Sequence, residues 1–179
     1  ERVAGSHLVM SLTEAAAKEH KSIFLLGGNP GAARGAAEKF AELFPGITIA
    51  GTCCPQVGFE KIKDRVAEIE EELRQTKPDI VYVGLGFPKQ DRLIAHLKPL
   101  FPETWFLGIG ISFSFITGEV KRAPKWMQKC GIEWLHRMIQ EPRRLFRRYI
   151  LEDLPFAGRL FFSALIGQGR PKPIRSDDA

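Results

Sequence analysis

Cysteine is scarce and poorly arranged for cross-linking: three residues in 179, two of them adjacent. The vicinal pair Cys53 and Cys54 with a distant Cys130 makes a poor disulfide framework, and no Cys/His cluster has zinc-ligand spacing. This reads as a reduced, cytosolic chain with no structural metal. The four histidines, His7, His20, His96 and His136, are scattered, which suits surface or satisfied side chains better than ligands. No apolar run reaches the roughly 18–20 residues that cross a bilayer. There is no hydrophobic leader, low-complexity tract or internal repeat. The glycines match neither the dinucleotide fingerprint nor a P-loop. With no acidic residue suitably placed for a ribose, that argues against a nicotinamide-dependent dehydrogenase. No RNA or DNA motif is present either. The chain opens on Glu1 rather than Met, so further residues are expected upstream.

What remains is ordinary globular composition, 44% hydrophobic and 26% charged, in a length that supports one core and an appendage. Charge is the unevenly distributed quantity. Residues 121–149 hold nine of the 26 Lys and Arg residues against two acids, so they carry +7 while the chain carries +5. A basic segment on a near-neutral body suits phosphate groups or an anionic surface; a solvated helix face is the plainer alternative. The basic residues are mostly Arg, which can bind phosphate bidentately. They alternate with Trp126, Trp134, Leu135, Phe146 and Tyr149, giving one charged and one apolar face.

In chain order, residues 8–18 have helical apolar spacing. Residues 22–26 (SIFLL) read as a buried strand entering Gly27-Gly28-Asn29-Pro30-Gly31, and 32–44 as a helix stopped by Pro45-Gly46. Residues 47–50, 79–83 and 105–109 read as further strands; 59–75 and 91–97 read as helices, with an apolar segment at 111–116. Strands alternating with helices predict an α/β fold: a Rossmann-like, mainly parallel sheet with helices on both faces. Helices are then expected at 124–130, 132–140 and 142–152, forming a C-terminal Arg-rich appendage. The expected organisation is a core over 1–120, a helical basic and apolar appendage over 121–167, and a disordered tail over 168–179. The apolar stretch 154–166 is too short to span a bilayer. It suits a membrane interface beside the Arg-rich helix, or packing on the core or another subunit.

In such sheets ligands bind beyond the carboxyl ends of the strands. Three turns leave those ends, at 27–31, 84–90 and 110–118. Gly27, Gly28 and Asn29 have strand–turn–helix geometry in which backbone N–H groups can face a phosphate, although a tight turn explains the glycines equally. Beyond Gly86, Lys89 and Gln90 sit where strand becomes helix. A Lys and a positive helix end can hold an anion there, and Gln offers a donor and an acceptor; an exposed loop is the alternative. Arg144, Arg147 and Arg148 share one helix side by three- and four-residue spacing, with Arg137 seven residues before Arg144.

The sequence resembles the WecG/TagA/CpsF glycosyltransferases of bacterial cell-surface polymer synthesis. Matching stretches are Glu1-Arg2-Val3-Ala4-Gly5-Ser6, the 25–31 turn, Gly84-Leu85-Gly86-Phe87-Pro88-Lys89-Gln90, and residues 122–149, which begin at Arg122. The resemblance implies transfer of a hexosamine-type sugar, N-acetylmannosamine or its uronic acid, from a UDP donor to a polyprenyl-diphosphate-linked acceptor. It implies inversion, no metal or cofactor, and a cytoplasmic protein peripheral to the inner face of the membrane; a homo-oligomer is compatible with it. Gln90 matches a residue linked to substrate binding, and Arg137, Arg144 and Arg147 match appendage arginines linked to activity. The family's candidate catalytic base lies in a Thr/Asn and Asp-Gly region expected upstream of Glu1. Within this chain His7, which replaces a common Asp, and Asp91, which replaces a Glu, are the candidates able to accept a proton. Phe113-Ser114-Phe115 stands where Phe-Asp-Phe is usual. The competing reading is a UDP-binding or membrane-associated module without turnover.

Overall fold

A computed structural model describes residues 5–56, 58–120, 123–124, 127, 130–140 and 154–165. The chain falls into two units, Glu1–Lys121 and Arg122–Ala179.

In the first unit, helix α1 (Gly5–Lys18) leads into strand β1 (Ser22–Gly27), helix α2 (Ala32–Leu43) and strand β2 (Thr48–Cys53). A 3-10 turn (Phe59–Lys61) precedes α3 (Lys63–Thr76), β3 (Ile80–Gly84), α4 (Lys89–Leu97), β4 (Trp105–Gly108) and α5 (Ser112–Ile116). The four strands form one sheet in the order β2-β1-β3-β4, and every pairing is parallel. The predicted α/β class and parallel sheet are therefore what this unit shows.

β1 and β3 lie inside the sheet and are buried along nearly their whole length. That explains why SIFLL and IVYV read as unbroken apolar runs: a parallel strand covered by helices on both faces has no polar side to present. Alternate residues feed two cores. Ile23, Leu25, Ile80 and Tyr82 pack with Val9 and Ala16 of α1, the alanines of α2, Phe40, and Phe113 of α5. Phe24, Leu26, Val81 and Val83 pack on the other side with Ile69 and Leu73 of α3 and with Leu93 and Leu97 of α4. One polar pair enters the first core. Thr13 Oγ1 donates to the Val9 carbonyl at 2.7 Å and lies 3.0 Å from the Tyr82 hydroxyl, so both buried hydroxyls are satisfied.

Three of the boundaries that differ from the sequence reading have a local reason. α3 starts at Lys63, not at 59, because Gly58 is left-handed and Ile62 is extended; between them Phe59 turns into the core. α4 starts at Lys89, two residues early, since Pro88 fits the position that opens a helix. β2 continues to Cys53 because its register slips once, between Ile23 and Phe24 of the partner: Ile23 pairs with Ile49, but Phe24 pairs with Gly51. Ala50 is the extra residue, a β-bulge. Gly51 accepts the result, since a Cβ there would sit 2.6 Å from the Phe24 ring.

In the second unit, α6 (Glu133–Gln140) and α7 (Leu154–Leu165) are described. Leu154, Phe156, Leu160, Phe161 and Phe162 of α7 are all exposed. No helix among the described residues is long and apolar enough to cross a membrane. The helix expected at 142–152 lies outside the described residues, as does most of that at 124–130.

At the amino ends of β1 and β3, Asp79 joins the two strands. Its carboxylate accepts from the Ser22 N–H and Oγ, both at 2.8 Å, and from Lys21 Nζ at 3.0 Å. The Ser22 N–H, Lys21 and the Ser22 hydroxyl together hold the Asp79 carboxyl at about 2, against an ordinary 3.8. A depressed carboxyl stabilises the fold fully above its unfolded value, and that stabilisation fades as pH falls through the folded one. The side chain is partly exposed, which limits its worth. Asp79→Ala is expected to cost about 1 kcal/mol in urea denaturation near neutral pH, with the gap narrowing as pH falls from 3.8 toward 2.

Candidate active-site crevice

The chain runs from β1 to β2 on one side and then crosses to β3 on the other, so the strand order reverses between β1 and β3. In open α/β sheets such a reversal opens a crevice beyond the carboxyl ends. Here the ends are Gly27 and Gly84, paired in register. The Gly28 N–H donates to the Gly84 carbonyl at 2.8 Å, tying the first turn to the second strand. Gly27 has φ 97° and a Cβ there would lie 2.8 Å from Leu85 Cδ2, so only glycine fits. The turn closes with the Ala32 N–H donating to the Asn29 carbonyl at 2.9 Å. The Gly35 N–H donates to the Gly31 carbonyl at 2.9 Å and no side chain caps α2, which leaves the Ala33 and Arg34 N–H groups of its first turn for water or an anion.

On the β3 side, Gln90 is fixed rather than free. Its Oε1 accepts from the Gly110 N–H at 3.1 Å, which holds the start of α4 against the carboxyl end of β4. Gly108 makes room, since a Cβ there would sit 2.7 Å from Gln90 Nε2. With Oε1 engaged, the amide NH2 is the part of Gln90 left to donate. Lys89 Nζ lies 2.7 Å from Glu60 Oε1 on the 3-10 turn. Phe87 and Asp91 are exposed.

On the β2 side is a cavity of ≈ 270 Å³ whose lining includes Cys53, Cys54, Gln56, Arg65, Glu68 and Glu72. Arg65 is paired with Glu68 at 2.8 Å, so Glu72 leaves this cavity negative. An anion is repelled there. Burial, and then the neighbouring Glu72 carboxylate, push the Cys53 thiol up to about 12, so it is not a nucleophile near neutral pH. Cys54 Sγ lies 3.5 Å from the carbonyls of both Gly28 and Asn29, bringing the β2 segment against the first turn.

Of the residues singled out in the sequence, Gly27 and Gly28 meet the 84–90 segment, Gly86 turns it (φ 74°), and Lys89 and Gln90 open α4 beside it. Asn29 lies in the same turn as Gly28. His7 is exposed on the first turn of α1, an element that packs on α5. Phe113 is buried against Gly28 and Gly84, and Ser114 beside it is 2% exposed. Arg137 belongs to α6 in the second unit. Arg122, Arg144, Arg147 and Arg148 lie outside the described residues. Two participants were not singled out: Glu60 and Cys54. Each comes into place through a turn shaped by Gly58 or by the β2 bulge, and no periodicity marks such positions.

Comparison with known proteins fits this crevice. The model of the glycosyl transferase WecG/TagA/CpsF family matches residues 1–170. The chain belongs to that family. Among characterised WecG/TagA/CpsF relatives, the N-acetylglucosaminyldiphosphoundecaprenol N-acetyl-beta-D-mannosaminyltransferase of Bacillus subtilis (strain 168) is 36% identical over 143 residues, covering 80% of this chain and 54% of the relative. The protein of the same name from Bacillus spizizenii (strain ATCC 23059 / NRRL B-14472 / W23) is 34% identical over 143 residues, covering 80% of this chain and 53% of the relative. This WecG/TagA/CpsF chain thus spans about half the length of the two relatives.

Two outcomes follow from the packing around the crevice. Gly108→Ala is expected to displace the Gln90 side chain, costing about 1–3 kcal/mol of stability or relaxing by loss of the Gly110 hydrogen bond. Urea denaturation and the Gly110 amide resonance would register this; an unmoved resonance would contradict it. In iodoacetamide labelling near neutral pH, exposed Cys54 and Cys130 are expected to react while Cys53 remains unmodified by mass spectrometry.

Proposed function

We propose that this protein is a glycosyltransferase of cell-surface polymer synthesis. It moves a hexosamine-type sugar, N-acetylmannosamine or a close derivative, from a UDP donor to a polyprenyl-diphosphate-linked N-acetylglucosamine. The observation that carries the reading is family membership together with a crevice at the strand-order reversal whose β3 side presents Lys89 and Gln90. The names of the two relatives specify the transferred sugar and the lipid-linked acceptor.

The chemistry proposed is a single displacement with inversion. A base takes the proton of the acceptor hydroxyl as the anomeric carbon–oxygen bond to UDP breaks, and the departing diphosphate gathers negative charge. Without a metal, side chains supply the neutralising charge. Lys89, the open N–H groups of α2, and Arg122, Arg137, Arg144, Arg147 and Arg148 are the groups proposed for that role. Gln90 donates its amide to the donor. His7 and Asp91 are the in-chain candidates for the base. The exposed apolar side chains of α7 suit a membrane surface, where the lipid-linked acceptor resides. The reading has the protein in the cytoplasm, peripheral to the inner face of the membrane, and expects no nucleic-acid partner.

The second reading is a UDP-binding module without turnover. Calorimetry with UDP and a transfer assay with labelled UDP-N-acetylmannosamine and polyprenyl-diphosphate-N-acetylglucosamine separate the two. The transferase reading expects both binding and product. It also expects Lys89→Ala, Arg144→Ala and Arg147→Ala each to weaken UDP binding about tenfold, the value of a charge-assisted contact. Binding without product would favour the module; affinities unchanged by all three substitutions would sink the donor site itself.

A further inference from the structure

The lysine proposed to meet the donor is already engaged. Lys89 Nζ and Glu60 Oε1 are 2.7 Å apart, with the two side chains 42% and 33% exposed. Neither end of the pair is on a loose segment. Glu60 is on the Phe59–Lys61 turn, which is anchored by buried Phe59 and closed by the Ile62 N–H donating to the Phe59 carbonyl at 2.9 Å. Lys89 is the first residue of α4, and its neighbour Gln90 is pinned to the Gly110 N–H. The pair joins the segments that follow β2 and β3, the strands flanking β1 on either side. It therefore lies beside the turn where the strand order reverses.

We infer that Glu60 sets how tightly the crevice holds the diphosphate of its donor, by occupying the Lys89 ammonium until the ligand takes its place. The inference rests on the donor site proposed above. The physical reason is a competition for one cation. A partly exposed carboxylate–ammonium pair is weak. A diphosphate carries more charge and more acceptor oxygens than one carboxylate, so it wins the ammonium but must first displace Glu60. Once displaced, Glu60 remains a nearby negative charge that repels the ligand. Both effects lower affinity for an anion and neither touches an uncharged nucleoside. Glu60 is thus an affinity-setting residue that acts through Lys89. In a transferase that must release UDP after each turnover, such a counter-charge hastens departure of the product.

The test is calorimetry on the full chain with UDP, inorganic pyrophosphate and uridine as separate probes. Glu60→Gln keeps the shape and removes the charge. It is expected to tighten UDP and pyrophosphate about two- to fivefold, while uridine affinity stays unchanged. Glu60→Asp, which keeps the charge, is expected to remain within about twofold of the parent. In a Lys89→Ala background most of the gain from Glu60→Gln should vanish, and it should shrink at high salt. Thermal melting checks that each variant is folded, and Glu60→Ala serves in place of Glu60→Gln if the latter is not. Unchanged or weaker UDP binding by the neutral variants overturns the inference. So does a gain shared by uridine, or one that persists in full without Lys89. If the parent chain binds UDP but Glu60→Gln changes nothing, only this role of Glu60 falls; if the parent binds neither UDP nor pyrophosphate, the donor reading falls and takes this one with it.

Discussion

β1 and β3 stay in step from Ile23 opposite Ile80 to Gly27 opposite Gly84, and the ladder is closed by the Gly28 N–H on the Gly84 carbonyl. This pairing is the constraint on which the rest depends. Because the two strands are central and parallel, each needs helices on both faces, and the chain supplies α1, α2 and α5 for one core and α3 and α4 for the other. Because they are neighbours in space but not in sequence, the connections leave in opposite directions and the crevice opens between them. Asp79 locks the same two strands at their opposite ends, through Ser22 and Lys21. The sheet is thus clamped at the bottom by charge and at the top by backbone.

Charge is partitioned around that crevice in a way that separates two kinds of binding surface. On the β2 side, Glu68 and Glu72 outnumber Arg65, and the Cys53 thiol stays protonated beside them. Lys89, at the start of α4, is paired with Glu60, and the pair is neutral as it stands. The second unit adds α7, which exposes Leu154, Phe156, Leu160, Phe161 and Phe162 along one short helix.

Much of the fold was legible because burial on both faces leaves a plain mark. SIFLL and IVYV could not be amphipathic strands, and the helices between them show a 3.6-residue period. The parallel class followed from their alternation. Boundaries were less legible where conformation is decided by one residue: left-handed Gly58 and extended Ile62 delay α3, and Pro88 advances α4. Around the crevice, Gln90 and Lys89 stand at the start of α4, a position that their place after a strand had marked. Glu60 was not, since its partner is far along the chain and only the sheet order brings them together. The arginines of residues 122–148 were legible as a charge pattern alone.

The extra residue at Ala50 has a wider consequence for how this chain can vary in length. Before the slip, Ile49 shares a face with Ile23; after it, Gly51 falls opposite Phe24 and Cys53 opposite Leu26. Everything downstream, including the approach of Cys54 to Gly28, takes its facing from that one insertion. Losing Ala50 would restore regular pairing and leave Gly51 opposite Phe24, whereas a regular ladder that kept Ala50 would put it opposite Phe24 and exchange core-facing for outward-facing positions through the end of β2. The strand can therefore shorten by one residue at position 50 without changing which of its later side chains meet the core.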